Sequence, residues 1–199
     1  TAKYGGLGAL AGAIAGAAID HNHRGKGALI GAAAVGAAAA GYGYYADKQE
    51  AELRAQMANT GVEVQRQGDQ IKLIMPGNIT FATDSANIAP SFYAPLNNLA
   101  SSFKQFNQNT IEVVGFTDST GSRQHNMDLS QRRAQSVGTY LTSQGVDASR
   151  VSIRGMGPDQ PIASNADANG RAQNRRVEVN LKPIPGQQYD QQGQVQQYP

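Results

Sequence analysis

From residue 60 onward the spacing of apolar and polar positions changes repeatedly, and each change marks an element. "GVEVQRQGDQIKLIMP" alternates on both sides of Gly68-Asp69, which predicts two strands joined by a turn there. "GNITFATDSANIAPSF" has no period and reads as a loop. "APLNNLASSFKQF" places Leu96, Leu99 and Phe103 on one helical face. "TIEVVGF" is a run of strand formers. Residues 126 to 144 return to helical spacing, and Gly145 stops them. "RVSIRGMG" reads as a strand, "DANGRAQN" as a short helix, and "RRVEVNLK" as a last alternating strand. Helices that alternate with strands in this way can cover one face of a small sheet, an ordinary α/β pattern.

The flanks follow other rules. Residues 1–45 are nearly all Gly and Ala, interrupted by the polar "DHNHRGK". Gly8, Gly12 and Gly16 recur at four-residue steps, as do Gly27 and Gly31, with Gly36 and Gly41 at looser ones. Such spacing puts small residues on one helix face and lets two backbones approach closely. A helical hairpin, a glycine zipper, is expected here, associated with a membrane or with itself. The second run is long enough to span a bilayer; the first is short for it. The competing expectation is a low-complexity segment packed on a partner. "ADKQEAELRAQMAN", residues 46–59, is a polar stretch of good helix formers and reads as a spacer. After Pro183 the tail is Gln, Pro and Tyr, with too little aliphatic surface for a core, so 183–199 is expected to be disordered.

Composition narrows the function. The chain has 199 residues, a net charge of +2 and 16% charged residues. Its basic residues form no long block, which argues against a nucleic-acid footprint. The absence of Cys excludes disulfides and Cys-ligated zinc. No cofactor is expected. The sequence begins at Thr1 rather than Met, which leaves room for a removed N-terminal signal.

The chemistry concentrates around "GFTDST", Gly115 to Thr120, and the helix after it. On that helix Leu129, Ala134, Val137, Tyr140 and Leu141 share one face at about 100° per residue. Arg133 falls on the same arc; Arg132 falls outside it. An arginine turned toward a core is costly unless paired and hydrogen-bonded, so an anion is expected near Arg133. Asp118, at the end of the preceding strand, is the candidate, because ligands gather beyond the carboxyl ends of strands in open sheets. Two readings follow. One is a pocket holding one positive and one negative charge, suited to a zwitterion, with the guanidinium fork on a carboxylate. The other is a structural Asp118–Arg133 salt bridge without a ligand.

"GFTDSTGSRQHNMDLSQRRAQSV" resembles the motif of the OmpA-like C-terminal domain family, which binds peptidoglycan. The family pattern reads Gly-His-Thr-Asp, a Gly-containing loop, then Asn-x-x-Leu-Ser-x-x-Arg-Ala-x-x-Val. Here it is met by Gly115, Thr117, Asp118, Gly121, Asn126, Leu129, Ser130, Arg133, Ala134 and Val137. Phe116 stands where the His is usual. "FATDSANIAP", "GMGPDQPIASN" and "NRRVEV" resemble further segments, so the likeness covers about residues 60–182. The resemblance implies an α+β fold, an OmpA-like βαβαβ sandwich with a mixed sheet and helices on one face. It implies diaminopimelate of the peptidoglycan stem as ligand, its ammonium on Asp118 and its carboxylate on Arg133. Thr117, Asn126, Leu129 and Ser130 would line the pocket, Arg175 would add positive charge, and Asp84 would sit at its rim. With the Gly zipper, the chain is similar to a subgroup of OmpA-family lipoproteins whose lipidated Cys would precede Thr1. That implies a place at the bacterial outer membrane facing the periplasm. The alternative is an assembly protein whose Gly/Ala hairpin drives oligomerisation.

Catalysis is not expected. Ser122, His125 and Asp118 are neighbours along one loop, which is not triad geometry, and His125 is expected to be solvated. His21 and His23 form a weak metal-binding pattern. Arg132, Arg171 and Arg176 are expected at the surface, solvated or paired.

Overall fold

The alternating segments pair through Gln67↔Gln70, so that β1 (Glu63–Gln67) and β2 (Gln70–Pro76) form an antiparallel hairpin. Gly68 carries the turn at φ 63°, a left-handed conformation open to glycine without steric cost. The computed structural model describes residues 39–190. After β2 the chain makes one helical turn, α2 (Gly77–Thr80), where loop was expected. An irregular stretch and a 3-10 turn (Pro90–Phe92) lead into α3 (Tyr93–Gln105). Then follow β3 (Asn109–Phe116), α4 (Arg123–Ser143), β4 (Val151–Gly155), α5 (Ala168–Asn174) and β5 (Arg176–Pro183). α4 starts three residues earlier than its apolar spacing suggests, because Ser122 caps it: the Ser122 hydroxyl accepts from His125 N–H at 3.2 Å.

The strands lie in the order β1-β2-β5-β3-β4. All neighbours are antiparallel except β3 and β4, which α4 joins as a parallel crossover. The sheet is mixed, as expected. Its inward face carries Ile71, Leu73 and Met75 of β2, Val177, Val179 and Leu181 of β5, and Ile111 and Val113 of β3. Leu96, Leu99 and Phe103 of α3 and Ala134, Val137 and Leu141 of α4 close the core over that face. The opposite face is charged and paired with itself: Glu112 accepts from Arg154 and Lys182, both at 2.8 Å, and Lys72 lies 3.6 Å from Glu178.

Residues 46–59 do form a helix, within α1 (Ala39–Met57), but not a spacer. Tyr42, Tyr45, Ala46, Gln49, Leu53 and Met57 make a buried stripe at helical spacing and belong to the core. Two of its polar tips meet partners across the core. Tyr45 Oη accepts from Gln108 N–H at 2.8 Å, and Gln49 Oε1 accepts from Asn109 Nδ2 at 2.6 Å. Arg66 of β1 binds Asp47 and Glu50 of α1, each at 3.0 Å. The tail also departs from expectation through Asp190. Tyr189 is buried with its ring 5.1 Å from that of Tyr42, and its hydroxyl donates to Gln108 O at 2.9 Å. The domain therefore includes α1 and extends past Pro183. Most of the Gly/Ala hairpin, with His21 and His23, lies outside the described residues, as does 191–199. Among the described residues no helix is long and apolar enough to cross a membrane.

This boundary has a measurable consequence. Leu53→Ala should destabilise the domain by about 2–5 kcal/mol, as for truncation of a fully buried leucine. A denaturant titration checks it; a spacer helix would give a change within about 0.5 kcal/mol.

Candidate functional site

At the carboxyl end of β3 the chain passes from the sheet into a tightly held loop. Thr117 N–H donates to Gly157 O at 2.8 Å, and Met156 N–H to Gly115 O at 2.9 Å, so the ends of β3 and β4 stay bound together. Asp118 then folds the chain back on itself: its Oδ1 accepts from Thr120 N–H at 2.8 Å, an Asx turn. Gly121 follows at φ 86°, and Ser122 opens α4. Asn126, one turn into the helix, donates from Nδ2 to Thr120 O at 2.9 Å and clamps the loop from above.

α4 can sit this close because β3 and β4 present glycine to it. A Cβ on Gly115 would lie 2.1 Å from Ser130 O, and one on Gly155 would lie 2.5 Å from Gln131 N. That contact brings Leu129 and Arg133 over the end of the sheet.

The result is a cavity of about 500 Å³ lined by residues of four segments. Asp118, Thr117 and Thr120 come from the β3–α4 loop. Asn126, Leu129 and Arg133 come from α4, with His125 at its start. Phe81 and Asp84 come from the loop after α2, and Arg171 and Arg175 from the α5 end. Seven of the eight residues expected at the site thus meet in one cavity: Asp118, Arg133, Thr117, Asn126, Leu129, Arg175 and Asp84.

Ser130 does not join them. It is fully buried, donates to Met127 O at 2.9 Å and accepts from Gly157 N–H at 2.9 Å, so it fastens α4 to the segment after β4. Its place in the motif reflects packing behind the cavity.

Arg133 lies on the buried arc as its spacing requires, 7% exposed, while Arg132 is solvent-facing. It makes no ion pair with Asp118. Its Nε donates to Ser85 O at 2.9 Å, and its guanidinium carbon lies 5.1 Å from the centre of the Phe81 ring. Among the described residues its two terminal nitrogens have no protein partner, and they border the cavity. Burial lowers the pKa of this guanidinium. The negative charge of Asp84 opposes that shift, while the nearby charges of Arg175 and Arg132 add to it. Asp84 holds its place at φ 50°, a left-handed conformation that Asp adopts more easily than most residues.

The partner of Asp118 is instead Arg175, whose Nη1 donates to Asp118 Oδ2 at 2.5 Å. Burial pushes the Asp118 carboxyl upward, but the Thr120 N–H and the Arg175 guanidinium outweigh it. The net pKa lies below the ordinary carboxylate value. Two of the roughly four lone-pair sites of this carboxylate are thereby used, and Asp118 lines the cavity.

Two structural partners were not legible in the sequence. Arg171 lines the cavity, and its Nη1 donates to Asn165 O at 3.1 Å. Asn174, fully buried at the end of α5, receives Ile162 N–H and Ala163 N–H on Oδ1, at 2.8 and 3.0 Å. Its Nδ2 donates to Asn165 Oδ1 at 2.8 Å, and that oxygen also takes Ser119 N–H at 3.3 Å. This chain of amides braces the Asp118 loop from behind. Its sequence signal, an Asn closing a seven-residue helix, is too short to carry a period.

Arg176 corrects another expectation. It is buried rather than at the surface, bound to Glu178 Oε1 at 2.9 Å, with its guanidinium carbon 3.9 Å from the Phe116 ring centre. Phe116 faces this pair and does not line the cavity, so Phe in place of the usual His leaves the cavity walls intact.

With the geometry in place, the likenesses can be weighed. A family model described as the OmpA family matches residues 80–175, which contain every cavity residue named above. The chain is 52% identical over 180 residues to the probable lipoprotein YiaD of Escherichia coli (strain K12), covering 90% of this chain and 82% of that protein. It is 40% identical over 109 residues to the peptidoglycan-binding protein ArfA of Mycobacterium tuberculosis (strain ATCC 25618 / H37Rv), covering 55% of this chain and 33% of that protein. Among solved structures, the cell wall anchor of the T6SS from Pseudomonas aeruginosa superposes with a TM-score of 0.61 at 29% identity, over 68% of this chain and 99% of that one.

Proposed function

The chain belongs to the OmpA family, and on that premise we propose that it binds peptidoglycan without covalent attachment and so ties the bacterial outer membrane to the cell wall. The ligand group is the zwitterionic end of diaminopimelate in the stem peptide. The observation that carries this reading is the buried Arg133, whose outer edge faces the cavity without a protein partner. That outer edge is open to the cavity, where a carboxylate can accept from both terminal nitrogens in two-pronged geometry. Asp118 supplies the opposite charge for the ammonium, and Thr117, Asn126 and Leu129 shape the space between. Each charge-assisted bond contributes about 1.5–3 kcal/mol net, so the two ends together supply most of the roughly 8 kcal/mol of a micromolar affinity.

A peptidoglycan-binding relative and a cell-wall-anchoring structural neighbour support the wall as partner. The membrane side of the tether falls to the N-terminal Gly/Ala segment, to a lipidated Cys upstream of Thr1, or to both. Similarity to a probable lipoprotein supports the lipid. Self-association through the glycine zipper is compatible with either. The reading of Asp118 and Arg133 as a salt bridge to each other loses its basis, since Asp118 pairs with Arg175.

Co-sedimentation of the chain with purified sacculi tests the proposal, with small competitors. Diaminopimelate should release the protein. Nα-acetyl-lysine amide, which keeps the side-chain ammonium and has no free carboxylate, should not. Equal competition by both would remove Arg133 from its assigned role, and failure to sediment would remove the wall.

The pH profile follows from Asp118. Its folded-state pKa is depressed, so its ionised form, and the stability it contributes, is present above the unfolded value. That contribution is lost as pH falls through the lower folded value. Wall binding should therefore stay level from pH 7 to about 5 and fall below about 4. The Arg175 pair is partly exposed, so the accompanying loss of stability should be small. A midpoint above pH 5 in the sedimentation assay would assign control to another group.

A further inference from the structure

Beyond the loop that holds Arg133 lies a second groove of different character, about 460 Å³ in volume. Ser85 bonds Arg133, and two residues later Asn87 and Ile88 form one wall of this groove. Its other wall is α4, one to two turns beyond Arg133, with Gln135, Thr139 and Tyr140. Tyr93, at the start of α3, completes it. No Asp, Glu, Lys, Arg or His lines the groove.

The aromatic pair is the unusual part. Tyr93 is 39% exposed, one of two large hydrophobic side chains so exposed among the described residues. Its ring lies 5.0 Å from that of Tyr140 at 52°. Tyr140 is held in place, donating from its hydroxyl to Asn97 Oδ1 at 2.5 Å. Gln135 Nε2 donates to Thr139 Oγ1 at 3.1 Å, and Gln135 Oε1 has no protein partner. An exposed aromatic face ringed by neutral amides and hydroxyls suits a ligand with an apolar ring face and a rim of neutral donors and acceptors. A pyranose has that chemistry; a charged peptide does not.

We propose that this groove binds a neutral amino-sugar ring of the glycan strand while the cavity at Arg133 holds the peptide that hangs from it. The proposal rests on the wall-binding reading and extends it from the peptide to the sugar. Reach agrees: Tyr140 lies seven residues along α4 from Arg133, roughly 10 Å. A lactyl group and two peptide residues, the link between sugar and diaminopimelate, reach up to roughly 10 Å when fully extended. The loop that carries Asp84 at the cavity and Asn87 and Ile88 at the groove is the surface the linker crosses.

The experiment is calorimetric titration of the full chain with two probes: a disaccharide–tetrapeptide fragment of peptidoglycan and the same tetrapeptide without sugars. The wild-type chain should bind the sugar-bearing probe about tenfold more tightly. Tyr93→Ala should abolish that preference and leave the affinity for the bare peptide unchanged. Thr139→Arg, which fills the groove from the exposed side of α4, should do the same. Equal binding of both probes by the wild-type chain overturns the proposal and leaves the peptide cavity standing. So does a preference that survives both substitutions, or a variant that weakens both probes alike. Binding of neither probe overturns the wall-binding reading and the groove with it.

Discussion

Arg133→Ala is expected to lower binding to peptidoglycan sacculi by a hundredfold or more while leaving the circular dichroism spectrum near that of the unaltered chain. Two charge-assisted bonds at about 1.5–3 kcal/mol each disappear, and each 1.4 kcal/mol is tenfold in affinity. The fold should tolerate the change. In the ligand-free chain Arg133 contributes one hydrogen bond to Ser85 O and a contact with the Phe81 ring. Against these stands the desolvation of a largely buried guanidinium. Arg133→Lys is the finer probe, since it keeps the charge and loses the fork; it should recover part of the binding. Unfolding of Arg133→Ala at ambient temperature would make the residue structural. Full binding by Arg133→Ala would hand the carboxylate to Arg171 or Arg175.

A large loss of stability should come from Gly115→Ala. The added Cβ would lie 2.1 Å from the carbonyl oxygen of Ser130, a backbone atom of α4 that cannot rotate away. Either β3 or the helix must move, and α4 carries Leu129 and Arg133 with it. Overpacking of this kind costs about 3 kcal/mol or more, which in a domain of this size lowers the Tm by roughly 10 °C. Wall binding should fall as well, because the cavity walls separate. Gly121→Ala is the control: its Cβ would meet no atom within 4 Å, but its φ is 86°. It should cost about 1–2 kcal/mol from backbone conformation alone. A Gly115→Ala chain that melts no lower than Gly121→Ala would show that the helix-to-sheet contact is not tight.

Much of the domain's outline was legible because short-range periods report burial directly. The alternation around Gly68-Asp69 gave both hairpin strands, and the 3.6-residue period of α4 turned Arg133 inward and Arg132 outward. Asp118 at a strand end was likewise readable, since its position depends on the strand alone. The α1 stripe was not. Tyr42 and Tyr45 read as the end of the Gly/Ala hairpin and Gln49 as part of a polar spacer, because the Gln108 and Asn109 they bond lie some sixty residues away. Tyr189 was misread for the same reason, since its place in the core depends on Tyr42 and Gln108. Ser130 shows the opposite error. A polar residue in a binding motif was assigned to the ligand, whereas it holds the segment after β4.

By itself, then, the sequence determined the strands and helices of the α/β part, the inward turn of Arg133, and a strand-end acid nearby. Those features depend on neighbours within a few residues, where backbone geometry leaves little choice. The tertiary structure decided which charges meet. Arg175, fifty-seven residues after Asp118, takes the carboxylate, and Arg133 is left with its outer edge toward the cavity. Charge pairing is set by distances of a few ångströms between segments remote in the chain, and no local period encodes such distances.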